Sequence, residues 1–391
     1  MQRTYDVVII GGGVIGSSLA FFLSSNPDFQ GRIAVIERDP FYQASSSSLS
    51  TSAIRQQFGT PPNIQMSANS IEFLRDVRDR LYVEGHDADV GLREPGYLFL
   101  GAEEHVANFK AKHETQVACG FEAELFDKES LKKRFPWINT EDLAIASYGT
   151  HSEGWFDGPA LLQAFRRKAR KLGVEYIAGT VSSLDMDGDR IAAVNLESGD
   201  KLIADTVVNA AGPWAAKVAR MAGVDVPVYP RKRCVFVFDS PEKHPEAPFI
   251  MDTSGFFLRP EGHLYICGIT PEVENDDDNF GLDVDYDLFE EKIWPALAHR
   301  IPGFEQLRML RAWAGLYEYN TFDHSALIGH HPELSNLILI NGFSGHGMMH
   351  APAAGLGVSE LITYGAYRTI DLTPFRYERI AEGAKIEEHV Y

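Results

Sequence analysis

A parallel α/β unit interleaved with an antiparallel, β-rich unit is the architecture this sequence predicts. Three observations carry it. The N-terminus runs strand, glycine turn, helix, strand. Two further apolar strands, near residues 206 and 337, run into loops of small residues. Between 226 and 320 the chain is rich in β-branched and aromatic residues in short runs.

The first element is the apolar run Val7–Ile10. Gly11, Gly13 and Gly16 follow with G-x-G-x-x-G spacing, then a helix, then a second apolar strand, Ile33–Ile36, ending at Glu37. Gly11 permits the tight turn, Gly13 admits a pyrophosphate to the backbone, and Gly16 lets helix and strand pack closely. A diphosphate rests on the exposed N–H groups of the helix N-terminus, where the dipole is positive. Glu37 stands 21 residues after Gly16, where a carboxylate accepts hydrogen bonds from a ribose 2′-hydroxyl. Together these features predict an adenine-dinucleotide site on a Rossmann-like unit.

Residues 45–65, with Ser45–Ser48 and Pro61-Pro62, read as a loop system, and Ile64–Leu81 has helical spacing. Residues 93–135 alternate short strand-like runs, such as Tyr97–Leu100, with helical ones. Pro159–Leu172 is a helix with proline in its first turn and Gly173 past its end. A strand at Val174–Ile177, a hairpin over 180–204 turning at Asp187-Gly188, and a strand at Thr206–Asn209 follow. Residues 226–320 predict an antiparallel sheet, with the acidic stretch Asp276–Asp278 as a solvated loop. Leu337–Ile340 is a strand leading into a second glycine-rich loop and a final core helix. The expected division is 1–90, 145–225 and 325–391 for the nucleotide domain, and 91–144 and 226–324 for the substrate domain.

Composition narrows the function. A chain of 391 residues exceeds what one core supports, and 45% hydrophobic with 23% charged residues is ordinary for a globular protein. A formal charge of −19 argues against nucleic acid and anionic membrane as partners. Cys119, Cys234 and Cys267 form no CxxC pair, so neither a disulfide framework nor a metal site is expected. The first strand begins by residue 5, which leaves no room for a targeting peptide, and no apolar run approaches a spanning helix. A cytoplasmic location follows as the expectation.

Two loops select the cofactor. Thr206–Trp214 is a buried strand ending in small residues, which let a dinucleotide lie against the backbone at the sheet's carboxyl edge. Asn341–Met349, Asn-Gly-Phe-Ser-Gly-His-Gly-Met-Met, follows a strand and opens a helix. A reduced flavin carries negative charge around N1 and the C2 carbonyl, which a helix N-terminus stabilises. A nicotinamide becomes neutral on reduction and gains nothing there. The motif therefore favours a flavin.

These motifs, in this order, resemble the FAD-dependent amine oxidoreductases, the family of D-amino-acid oxidase, glycine and sarcosine oxidases, and sarcosine and dimethylglycine dehydrogenases. The resemblance spans essentially the whole chain and is tightest at residues 50–58, 313–323 and 342–347. It implies a Rossmann-like FAD-binding domain interleaved with a substrate domain on a large mixed or antiparallel sheet. It implies oxidation of the C–N bond of a small amino acid or N-alkyl amino acid by hydride transfer to flavin N5, giving an imine that water hydrolyses. The electron acceptor is oxygen or another carrier. Arg55 matches the arginine that binds the substrate carboxylate, a role its guanidinium fork suits.

The cofactor set expected on this reading is Gly11, Gly13, Val14, Ile15, Gly16, Glu37, Arg38, Ser45, Ser46, Ser47, Ser52, Val181, Asn209, Ala210, Ala211, Gly212, Trp214, Gly315, Gly342, Phe343, Ser344, Gly345, His346, Gly347 and Met348. The catalytic set is Arg55, His346, Tyr317 and Tyr319. His346 either contacts the flavin or satisfies its own loop, and the two tyrosines, two apart on one strand face, either line the cavity or pack the sheet. His324 is a weaker candidate. His330-His331 lacks partners at ligand spacing, so no metal is expected.

Departures from the family pattern matter too. Sarcosine oxidases place a second carboxylate-binding lysine where this chain has Met348-Met349. Their flavin-tethering cysteine matches Gly315, and the tethering histidine of dimethylglycine dehydrogenase falls near Leu49, so FAD is expected to be non-covalent. The oxygen-activating lysine falls near Tyr265, which favours a dehydrogenase. Two alternatives stand beside this reading. One is oxidation of a hydroxy acid or polyol phosphate on the same fold, for which Arg231-Lys232-Arg233, read as a solvated edge, is the only basic cluster. The other is a flavoprotein acting mainly in partner binding or assembly.

Overall fold

The computed structural model describes residues 2–271, 278–386 and 388. Its first sheet has the spatial order Leu327–His330, Leu337–Asn341, Lys201–Asn209, Gln2–Ile10, Ile33–Glu37, Glu175–Ala178. All neighbours in it are parallel except the Leu327–His330 edge strand. The second half of the N-terminal strand, Val7–Ile10, is apolar and buried because both its faces are covered. Val7 and Ile9 pack into one core, Tyr5, Val8 and Ile10 into another. The hairpin Val181–Asp187/Arg190–Leu196 extends this sheet, with Gly188 at φ +61° in its turn.

Helices Val14–Ser25, Pro61–Arg75, Gly158–Lys171 and Gly347–Tyr364 cover one face. The first and last cross so closely that a Cβ on Gly355 would lie 2.4 Å from Ser18 Oγ. Ser18 Oγ donates to the Ala351 carbonyl at 2.8 Å, satisfying a buried hydroxyl.

The second sheet has the order Arg308–Asn320, Val228–Asp239, Leu264–Ile269, Phe256–Glu261, Phe249–Met251, Tyr97–Gly101, Ile145–Gly149, Glu124–Asp127. Its longest pair is antiparallel, from Val228 opposite Asn320 to Asp239 opposite Arg308. One face holds its own core, including Leu98, Phe236, Tyr265 and Cys267; the other faces the first unit.

Several details differ from the sequence reading. The helix expected at Ile64–Leu81 starts at Pro61 and breaks at Asp76, before a short turn Val77–Arg80. Prolines fit a first turn because the missing N–H is unpaired there anyway. The stretch 226–320 is not all strand. Residues 286–300 form helical turns that seal the second sheet's outer face with Phe289, Ile293 and Leu297, a spacing of four that marks one helical face. Strand Ile145–Gly149 joins the second sheet, although the sequence division put it with the nucleotide domain. Of Asp276–Asp278, the first two lie outside the described residues, and Asp278 is exposed and ion-paired with Arg231.

Candidate functional site

A long cavity, about 430 Å³, runs between the carboxyl edge of the first sheet and the inner face of the second. Ligands of parallel α/β sheets bind at that edge. Among the described residues, three of the five non-glycine residues with positive φ border it: Ser52 (+56°), His324 (+64°) and Ser344 (+50°). Such strain, of order 1–3 kcal/mol each, collects where function overrides local preference.

At one end lie Gly11, Gly13, Val14, Ile15, Glu37, Arg38, Val181, Ala210, Ala211, Gly212 and Trp214. A Cβ on Gly11, at φ +107°, would sit 2.2 Å from the Ala210 carbonyl oxygen. Only glycine therefore lets the two loops meet. Glu37 accepts from Gly12 N and Asp39 N, each at 2.8 Å, and burial raises its pKa. The Arg38 guanidinium lies 3.6 Å from the Trp214 ring centroid. No acidic side chain occupies the first turn of helix Val14–Ser25, so its N-terminus is open to an anion.

The middle is bordered by Ser45, Ser46, Ser47, Ser52, Gly315, Ser344, Gly345, His346, Gly347 and Met348. Ser47 Oγ accepts from Val14 N at 2.9 Å, while Ser46 Oγ is buried with no hydrogen-bond partner. A buried orphan hydroxyl on a cavity wall marks a place for a polar ligand. Gly345 lies against Tyr317, and a Cβ there would come within 2.6 Å of the ring. Glu318, not singled out in the sequence, braces this loop. Its Oε2 accepts from Gly342 N at 3.0 Å, and burial pushes its pKa up to about 8. The signal for it was an acid set between two tyrosines in an otherwise apolar and aromatic run.

Four residues of the expected cofactor set do not border the cavity. Gly16 lies behind the turn, where a Cβ would meet the Gly11 carbonyl oxygen at 2.0 Å. Asn209 is buried and ties its own turn, donating to the Ala215 carbonyl and accepting from Ala211 N. Gly342 faces Val228 and Asn320. The Phe343 ring is 1% exposed and packs toward His350, in the core. These residues shape loops from behind.

The far end contains Arg55, Tyr317 and Tyr319, with His324 tilted against Tyr319 at 4.8 Å between centroids. Arg55 is 8% exposed. Its Nη1 donates to the Gln57 carbonyl at 2.8 Å, and its Nη2 lies 3.1 Å from His346 Nε2. Because arginine only donates, His346 Nε2 is the acceptor and the imidazole carries its proton on Nδ1. Burial and the adjacent Arg55 charge hold the His346 pKa well below its ordinary value. The Arg55 guanidinium also packs over Phe58, 4.1 Å from the ring centroid. Among the described residues no carboxylate is within ion-pair distance of it. Underneath, the fully buried Glu153 accepts from Gln57 N at 3.0 Å and Gln57 Nε2 at 2.7 Å, fixing the loop that carries Arg55.

Two sequence expectations change here. Arg233 is not on a solvated edge. It borders the cavity with its guanidinium 5.0 Å from the Tyr317 ring centroid, because residues 231 and 233 share the strand face of Tyr317 and Tyr319. Tyr265 points away from the cavity, into the core beyond the second sheet, where it stacks on Phe238. The two positions weighed for a flavin tether, 315 and 49, do converge: a Cβ on Gly315 would lie 3.0 Å from Leu49 Cβ. Neither residue bears a nucleophile. Among the described residues no cluster of three His, Cys, Asp or Glu is placed to hold a metal ion, and no helix is long and apolar enough to cross a membrane.

A dinucleotide cradle, an open helix N-terminus and a substrate chamber under an antiparallel sheet define a flavin-dependent oxidoreductase. The chain belongs to the DAO family of FAD dependent oxidoreductases, whose family model matches residues 6–361. It is 42% identical to FAD-dependent oxidoreductase domain-containing protein 1 of Xenopus laevis, over 96% of this chain and 82% of that protein. It is 27% identical to glycine oxidase of Geobacillus kaustophilus, covering 97% of this chain and 98% of that enzyme. Among solved structures, L-proline dehydrogenase from P. horikoshii matches with a TM-score of 0.86 and 27% identity, over 98% of this chain and all of that one. FAD is the cofactor, and the open cradle fits it.

Proposed function

We propose that this oxidoreductase acts on the C–N bond of a small amino acid or N-alkyl amino acid held by its carboxylate on Arg55. The observation that carries the reading is a buried arginine in the cavity with no carboxylate partner of its own among the described residues. A buried guanidinium that lacks an anion is strongly inclined to take one from a ligand. The glycine oxidase and proline dehydrogenase relatives support an amino-acid substrate.

Bound FAD supplies the two-electron acceptor for a hydride leaving the carbon beside the amine. The chain's part is aim and exclusion of water. Arg55 fixes the carboxylate, and His346 holds the Arg55 fork through its neutral Nε2. Burial keeps the Tyr317 hydroxyl protonated as a donor. The backbone of Ser344–Gly347 and the N-terminus of helix Gly347–Tyr364, which border the cavity, would hold the flavin ring, and the Gly11–Gly16 turn with Glu37 and Arg38 would hold the ADP part. The absence of a nucleophile at Gly315 and Leu49 supports non-covalent attachment. Strand Leu264–Ile269 carries no lysine, which supports an acceptor other than oxygen. The proposed compartment is the cytoplasm, on the sequence reading alone; cell fractionation tests it.

Anaerobic titration of the yellow protein with sarcosine, proline, D-amino acids, 2-hydroxyglutarate and glycerol 3-phosphate checks the reading. Bleaching by an amine is the expected result, and its reoxidation rate in air separates oxidase from dehydrogenase. Arg55→Ala is expected to weaken amino-acid binding roughly 10- to 100-fold, with Arg55→Lys intermediate because the fork is lost. An unchanged affinity in Arg55→Ala removes the anchor. Arg233 in the cavity favours a second reading, an acidic hydroxy acid or phosphate; bleaching by those donors alone would establish it.

A further inference from the structure

Beyond Arg55 the cavity is bounded by apolar side chains that no step above uses. Strands Tyr97–Gly101, Phe249–Met251 and Phe256–Glu261 turn Tyr97, Phe249, Met251 and Phe257 toward it. The register sets these side chains shoulder to shoulder. Tyr97 is opposite Phe249 in the parallel pair, and Met251 is opposite Phe257 in the antiparallel one.

The rings form a file. The Arg55 guanidinium carbon is 5.9 Å from the Tyr97 ring centroid. Tyr97 and Phe249 stack at 4.3 Å with planes 13° apart, and Phe249 and Phe257 at 5.6 Å and 22°. Gly268 leaves room for the last ring, since a Cβ there would lie 2.6 Å from Phe257 Cε1. The file begins beside the carboxylate anchor and leads away from it.

Glycine has no carbon to set against this wall, and sarcosine has one methyl group. A larger apolar group gains about fourfold in affinity for each methylene it buries. We propose that the substrate is an amino acid or N-alkyl amino acid with an apolar side chain or ring larger than methyl, seated with its carboxylate on Arg55 and its apolar part along Tyr97, Phe249 and Phe257. The proposal rests on the Arg55 anchor of the preceding reading and narrows its substrate class.

The test titrates the FAD-loaded protein with the unreactive carboxylates acetate, butyrate, cyclopentanecarboxylate and succinate, following the flavin spectrum. Cyclopentanecarboxylate is expected to bind at least about tenfold more tightly than acetate. Phe257→Ala and the milder Phe249→Leu are expected to shrink that ratio several-fold while acetate affinity is kept. Arg55→Ala weakens every member in proportion. Proline and N-methyl-leucine should reduce the flavin at least about tenfold more efficiently than sarcosine.

A flat series in the unsubstituted protein overturns the apolar-substrate proposal and leaves the anchor standing. Succinate binding more tightly than butyrate overturns it too, by placing a second anion on Arg233. Loss of FAD from Phe257→Ala would show that the file packs against cofactor instead of substrate. No spectral response to any carboxylate removes the anchor itself, and both readings fall with it.

Discussion

Arg55 and Glu318 are both buried ionisable residues, and they use burial in opposite ways. Arg55 spends its guanidinium on carbonyl and imidazole acceptors and on an aromatic face. Glu318 meets only backbone N–H groups of the 342–343 loop, so desolvation dominates and lifts its pKa from 4.5 to about 8. The folded chain therefore binds a proton there that the unfolded chain gives up. That contribution is complete below the ordinary carboxylate range and is lost as pH rises toward 8. The apoprotein should melt at a lower temperature at pH 8.5 than at pH 6, and Glu318→Gln should flatten this decline. The buried imidazoles act in the other direction. His350, pushed down to about 3, resists a proton that the unfolded chain accepts, so its contribution is lost as pH falls below about 6.5. Equal slopes above pH 6 in the Glu318→Gln and unsubstituted proteins would refute the assignment.

At the scale of elements, the glycine turn shows why spacing was so readable. Strand, turn and helix meet at backbone contact, and a Cβ on Gly16 would stand 2.0 Å from the Gly11 carbonyl oxygen. Neither partner has a flexible side chain to move aside. Gly16→Ala should cost at least about 1–3 kcal/mol of stability and lower the FAD content of the purified protein, both measurable by thermal melting and by the ratio of flavin to protein absorbance. A variant with full FAD and an unchanged melting temperature would contradict the packing described. The helical turns over 286–300 were less readable. They interrupt a run of strands, and their Phe289–Ile293–Leu297 stripe is too short to outweigh the β-rich composition around it.

For the whole molecule, the cavity between the two sheets makes cofactor binding and stability one equilibrium. Loops from both ends of the chain line the cavity, so FAD seated there would bind the folded state alone. Adding it at about 100 times its Kd should stabilise the apoprotein by roughly 2.7 kcal/mol, seen as a melting temperature that climbs with FAD concentration. A melting temperature independent of FAD would mean that the two units do not close on it.

The sequence by itself determined the nucleotide unit and the flavin class, because these rest on local patterns: a G-x-G-x-x-G turn between two apolar strands, an acid at a strand end, and a glycine-rich loop opening a helix. Tertiary structure alone decided which residues face the cavity. It moved Gly16, Asn209, Gly342 and Phe343 behind the loops, brought Arg233 in and turned Tyr265 out. It also assembled the aromatic file, whose members lie on strands about 150 residues apart and meet only through sheet register. In a strand, side chains alternate between faces, and which face looks into the cavity is set by what packs behind it. No local pattern encodes that.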